Sequence, residues 1–219
     1  MNKKLLGYAF FFLALVLVVY YVVITTDQTA KNKIPVISQV NKFSFTNQDG
    51  NIVTEKDIQG KVVVVEYFFT TCKGICPRMN KNMQSIYNEF KDEPDFLILA
   101  HTCQPEIDSV ARLKFYADSL QINTKKWVLL TGRKDSLYNM ARSSYLIDDA
   151  QNIVNNIDDD FMHTQFFALV DKNGKVRGSV YDGLKTQEIN QLKINIKLLL
   201  KEKMGPNGFA NSIFTNNPQ

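Results

Sequence analysis

The chain has no basic stripe interleaved with aromatic residues, and its net charge is only +4. That excludes an evident nucleic-acid surface; the lysines, spread along the whole length, read as a solvated surface. No internal repeat and no low-complexity segment occurs. Histidine is nearly missing, so an imidazole ligand can come only from His101 or His163. No glutamate closes the stretch Asp171-Lys172-Asn173-Gly174 at a twelfth position. Asp182 is a poor substitute, so a hairpin turn is expected there rather than a calcium loop. Asp158-Asp159-Asp160 reads as a solvated acidic loop able to attract a cationic partner.

One long apolar run is present. Leu5 to Ile24 holds twenty residues without a charge, and as a helix it would span ~30 Å, the thickness of a bilayer's hydrocarbon core. No small-x-small cleavage site follows it, and no cysteine lies near it, so an anchor is favoured over a cleaved signal or a lipidated N-terminus. Lys3 and Lys4 precede the run, which orients residues 1–4 to the cytoplasm and the rest outside. A bacterial inner membrane with the domain in the periplasm is the expected location. The expected organisation is an anchor over 5–24, a polar stalk over 25–40, one globular domain over 41–203 and a loose tail over 204–219.

Within that domain the periodicity alternates. Phe43 to Val53 reads as a hairpin turning at Asp49-Gly50. Lys61 to Phe69 is almost continuously apolar, the pattern of a strand buried on both faces. Met79, Met83, Ile86, Tyr87 and Phe90 share one helical face, with Pro77 in the first turn. Strands are expected at Phe96–Ala100, Trp127–Leu130, Phe166–Val170 and Lys175–Tyr181, the last two joined at Asn173-Gly174. Helical stripes run through Val110, Leu113, Ala117 and Leu120, through Leu137, Met140, Ala141 and Tyr145, and through Ile189, Leu192, Ile196 and Leu199. The last is stopped by Gly205-Pro206. Strands alternating with helices, then a hairpin and a helix, describe a three-layer α/β domain.

The chemistry concentrates in Cys72-Lys73-Gly74-Ile75-Cys76-Pro77, at a strand-to-helix junction. Backbone amides and the helix dipole there favour negative charge, so lowered thiol pKa values are expected. Thiolate is the nucleophile of disulfide exchange and a ligand for soft metals. A structural disulfide is the rival reading, but a bridge over three residues constrains the unfolded chain little. Three intervening residues are one more than redox thioredoxins use, and they leave room for two thiolates to converge on one ion. A third ligand could be His163, just before the strand Phe166–Val170, or that histidine has no task. His101, at the end of Phe96–Ala100, reads as a satisfied strand-end residue. Cys103 is either a core residue or a third sulfur.

Gly60-Lys61-Val62-Val63-Val64-Val65, then Phe68-Phe69-Thr70-Thr71-Cys72-Lys73-Gly74-Ile75-Cys76-Pro77, resembles the Sco/SenC family of copper-binding assembly proteins. Leu130-Thr131-Gly132, His163-Thr164 and Asp171-Lys172-Asn173-Gly174 fit the same pattern, over about residues 40 to 202. The resemblance implies a thioredoxin-like fold with a central mixed sheet, and one copper, as Cu(I) or Cu(II), bound by Cys72, Cys76 and His163. It implies a role in delivering copper to the binuclear site of cytochrome c oxidase, whose copper-carrying subunit would be the partner. Reduction of that site's cysteines by the redox-active pair Cys72/Cys76, as a thiol-disulfide reductase, or redox sensing through their disulfide, are the alternatives. One departure stands out. The family's Val-Asp-Pro-Glu is Cys103-Gln104-Pro105-Glu106 here, so a carboxylate expected near the metal is replaced by an amide.

Overall fold

A computed structural model describes residues 3–31, 34–148, 162 and 164–205. Met1–Pro35 and Val36–Gln219 are separate compact units. In the first, helix α1 (Lys3–Lys31) exposes every described side chain from Phe10 to Val22. Among the described residues no helix is long and apolar enough to cross a membrane.

The second unit is built on one mixed sheet. Its strands are β1 (Val36–Gln39), β2 (Ser44–Asn47), β3 (Ile52–Thr54), β4 (Val62–Phe68), β5 (Phe96–Thr102), β6 (Trp127–Thr131), β7 (Phe166–Val170), β8 (Lys175–Arg177) and β9 (Tyr181–Asp182). The spatial order is β1-β8-β7-β4-β5-β6-β2-β3, with β9 paired to β7. The centre, β4-β5-β6, is parallel, and β7 joins β4 antiparallel. All seven residues of β4 are buried, as are all seven of β5, which is the expected signature of strands covered on both faces.

Helices provide the cover. On one face Phe90 of α2 (Cys76–Phe90) meets Phe96, Tyr87 of α2 meets Trp127, and Tyr116 of α3 (Val110–Ser119) stacks on Phe68. Helix α5 (Thr186–Lys201) buries Ile189, Leu192, Ile196 and Leu199, the stripe read from the sequence. On the opposite face Val63, Val65 and Tyr67 join Leu97, Leu99 and Leu130 in a core closed by Leu137, Tyr138, Ala141 and Tyr145. Burying each such side chain stabilises the fold by about 1.5–3 kcal/mol.

Three elements differ from the sequence reading. The polar stretch over 25–40 ends in β1, an edge strand that pairs antiparallel with β8. The strand expected over Lys175–Tyr181 is broken into β8 and β9, because Gly178 takes a φ of +84° that an extended strand cannot continue through. The helix through Leu137 and Tyr145 is α4 (Lys134–Asn139) followed by a π-helical turn, Met140–Tyr145, which ends at Leu146 in the left-handed region.

Candidate metal centre

Cys72 and Cys76 lie where β4 ends and α2 begins. Cys76 is the first residue of α2, with Pro77 in its first turn, and Ile75 precedes it without a side-chain cap. The chain reaches that point through a short loop in which the Cys72 amide donates to the Phe69 carbonyl at 3.2 Å. All three cysteines are free thiols, with Cys72 half-buried and Cys76 only 4% exposed.

The expected lowering of thiol pKa does not hold for Cys76. Burial pushes its thiol up to about 12, the neighbouring Cys72 side chain adds to the rise, and the backbone at Phe69 opposes it. Desolvation acts on the whole charge, whereas the helix terminus contributes partial charges worth about 0.3–1 kcal/mol. Cys76 is therefore a neutral thiol at pH 7, and any use of it as a ligand or nucleophile releases a proton.

A small cleft, with room for about one water, opens beside Cys76, lined by Phe69, Ile75, Cys76, Cys103, Met162 and Thr164 among others; Cys72 is not in its lining. His163 lies outside the described residues, as do Asp158, Asp159 and Asp160. The residues on either side of His163 are both anchored. The Met162 amide donates to the Tyr138 hydroxyl at 3.2 Å, and that hydroxyl donates to the Cys103 carbonyl at 2.9 Å. The Thr164 hydroxyl donates to the Ile147 carbonyl at 2.8 Å.

Cys103 is 2% exposed and packs in the core beside Tyr138, where burial holds its thiol well above the ordinary range. Among the described residues no group of three His, Cys, Asp or Glu side chains could hold a metal ion. The three cysteines thus do not form a three-thiol group, and Cys103 packs in the core while its edge also lines the cleft beside Cys76. Gln104, at the position of the family's acid, accepts the Thr71 hydroxyl at 3.0 Å.

His101 is the last residue but one of β5, which runs on to Thr102. It stacks on Tyr67 with ring centroids 4.9 Å apart, against Phe45 and Tyr145. Burial drives its pKa down to about 3, the backbone at Glu66 opposing the fall, and neither ring nitrogen makes a hydrogen bond of ordinary geometry among the described residues. It is a neutral core residue, with the Glu66 backbone as its polar neighbour.

Three residues near the cysteines went unread in the sequence. Glu66 sits in the middle of β4 and is 1% exposed, and burial raises its pKa to about 8. The Trp127 indole beside it favours the anion slightly, yet not in hydrogen-bond geometry, and Glu66 Oε2 has no partner among the described residues. A carboxylate inside a strand buried on both faces was the available signal. Asp108 and Tyr138 act across long sequence separations and left no local sign.

A family model described as SCO1/SenC matches residues 32–196. The SCO1 protein homolog of Bacillus subtilis is 29% identical over 168 residues, covering 75% of this chain and 84% of that protein. The structure of BsSco, described as a member of the Sco family of cytochrome c oxidase assembly proteins with a disulfide switch, is 28% identical with a TM-score of 0.65. It covers 79% of this chain and 99% of its own. Yeast Sco1 with copper bound shares the fold at 24% identity and a TM-score of 0.55, over 74% of this chain and 95% of its own. The mixed sheet with flanking helices is thus the thioredoxin-like arrangement of these structures, and the chain belongs to the SCO1/SenC family.

Proposed function

We propose that this protein is a copper chaperone for the binuclear copper site of cytochrome c oxidase, holding one copper through Cys72, Cys76 and His163. The observation that carries the reading is the cleft. Cys76 lines it together with Met162 and Thr164, the two chain neighbours of His163. Two thiolates and an imidazole suit Cu(I) and tolerate Cu(II). Family membership supports the same cargo, since Sco proteins have been solved with copper bound. The partner in this reading is the oxidase subunit that carries the copper site. Both thiols must be reduced and deprotonated to bind, so a Cys72–Cys76 disulfide excludes copper.

The membrane anchor in this reading rests on the sequence, the twenty uncharged residues Leu5 to Ile24, rather than on a spanning helix among the described residues; a bilayer would cover the exposed apolar side chains from Phe10 to Val22. With Lys3 and Lys4 inside, the domain faces the periplasm. A periplasmic reporter fused after Gln219 should be active and stay with carbonate-washed membranes. Release of a shortened soluble form would replace the anchor with a cleaved signal.

Competition for Cu(I) against a chromophoric chelator, on the reduced full chain in detergent, tests the copper reading. Cys72→Ala and Cys76→Ala should abolish stoichiometric binding. His163→Ala should weaken it and change the Cu(II) spectrum; unchanged affinity and spectrum would remove the histidine from the site. A thiol-disulfide reductase is the second reading. It is favoured by the asymmetry of the pair, a half-exposed Cys72 able to attack and a buried Cys76 able to resolve.

A further inference from the structure

We infer that Asp108 is a positioning residue for the cysteine pair, fixing through Thr70 where Cys72 lies relative to Cys76. The inference rests on the reading of Cys72 and Cys76 as the working pair. Cys76 needs no such help, because the first turn of α2 places it. Cys72 precedes the helix, in the loop that contains Gly74, and the two residues ahead of it are held from outside.

The holding group comes from the segment after β5. The Asp108 side chain is fully buried. Its carboxylate accepts the Thr70 amide at 3.2 Å and the Thr70 hydroxyl at 2.5 Å, and it accepts the Thr102 hydroxyl at 2.5 Å. Arg112 Nε donates to Thr70 Oγ1 at 2.5 Å and stands 3.7 Å from the carboxylate. Thr102 Oγ1 accepts the Gln104 amide at 2.9 Å, and Gln104 Oε1 in turn holds Thr71. Thr102 pairs with Phe68 across the parallel strands β5 and β4. The carboxylate therefore ties the ends of two neighbouring strands together and pins the loop that leaves one of them for Cys72.

Burying a carboxylate is costly unless donors surround it. Here three donors and a guanidinium do so, and they use the acceptor positions that a metal would need. Asp108 is also not among the residues lining the cleft. Its role is thus to orient Cys72 rather than to touch a bound ion. An amide in its place would turn an NH₂ group toward donors. Outer groups that orient metal ligands change affinity by about 10–100-fold when removed. Disulfide closure depends on the same pre-organisation, because it needs the two sulfurs held within bonding reach.

The test uses the full chain in detergent with Thr70→Val, Thr70→Ser and Asp108→Asn, folding being followed by Trp127 fluorescence. Each is equilibrated with glutathione buffers. Two glutathione thiols supply two electrons and two protons, reducing the Cys72–Cys76 disulfide to two thiols and becoming glutathione disulfide. Thr70→Val should disfavour the protein disulfide about tenfold, a shift of about 30 mV toward a more oxidising potential. Asp108→Asn should do the same, and both should weaken Cu(I) binding by at least about tenfold. Thr70→Ser, which keeps the hydroxyl, should stay within about twofold of the parent. Folded Thr70→Val with a disulfide equilibrium within twofold of the parent overturns the inference, and it decides the matter if Asp108→Asn does not fold. If the parent binds no copper, the chaperone reading falls and the disulfide equilibrium alone judges Asp108.

Discussion

Glu66 gives this protein a pH dependence that can be worked out in advance. Burial favours the neutral acid, raising the pKa from 4.5 to about 8 in the folded chain. Between those values the folded chain keeps a proton that the unfolded chain has released. The stability carried by the neutral acid is therefore complete below pH 4.5 and lost as pH rises toward 8. The loss is about 1.4 kcal/mol per pH unit, on the order of 5 kcal/mol in all. His101 acts with the opposite sign. Its pKa falls from 6.5 to about 3, so the unfolded chain takes up a proton below 6.5 that the folded chain refuses, and stability falls on acidification toward 3. The two slopes cancel between 4.5 and 6.5, and only Glu66 acts between 6.5 and 8. Urea unfolding of the full chain in detergent, followed through buried Trp127, should lose about 2 kcal/mol over that interval. With a slope of 1–3 kcal/mol per molar urea, the midpoint should fall by roughly 1 M. Glu66→Gln, a neutral isostere, should abolish the trend. An equal fall in the variant, or none in the parent, would refute the assignment of a buried neutral acid.

In native alkylation, Cys72 should label first and Cys103 slowly, at a rate that copper does not change; rapid labelling of Cys103 blocked by copper would return it to the site. Cys103→Ser should lower stability by about 1–3 kcal/mol through the buried hydroxyl. Tyr138→Phe removes the hydroxyl that bridges the Met162 amide to the Cys103 carbonyl. It should cost about 1–3 kcal/mol, and a melting temperature equal to the parent's would show that water replaces the bridge.

Much of the fold was legible because burial repeats with the period of each element. The run Val62 to Val65 announces a strand covered on both faces. The stripes Met79, Met83, Ile86, Tyr87, Phe90 and Ile189, Leu192, Ile196, Leu199 are the buried faces of α2 and α5. The hairpin at Asp49-Gly50 and the turn at Asn173-Gly174 follow from glycines that take φ of +81° and +75°. β1 was not legible, since an exposed four-residue edge strand has no apolar period and is defined only by its pairing with β8. The insertion of the early hairpin beside β6 was hidden for the same reason: β2 meets β6 through two register pairs more than eighty residues apart.

The sequence by itself determined the chemistry available at the site. Two cysteines spaced by three residues at a strand-to-helix junction are a local pattern, and their sulfur chemistry is intrinsic to the side chains. Only the tertiary structure decided how those thiols behave. Burial, which depends on what packs over α2, reverses the effect of the helix terminus on Cys76 and raises its pKa. The approach of residues far apart in the chain puts Asp108 under Thr70, Tyr138 between Met162 and Cys103, and Cys103 in the core. Hydrogen bonds and desolvation act over a few ångströms of space, and a sequence records separation along the chain instead.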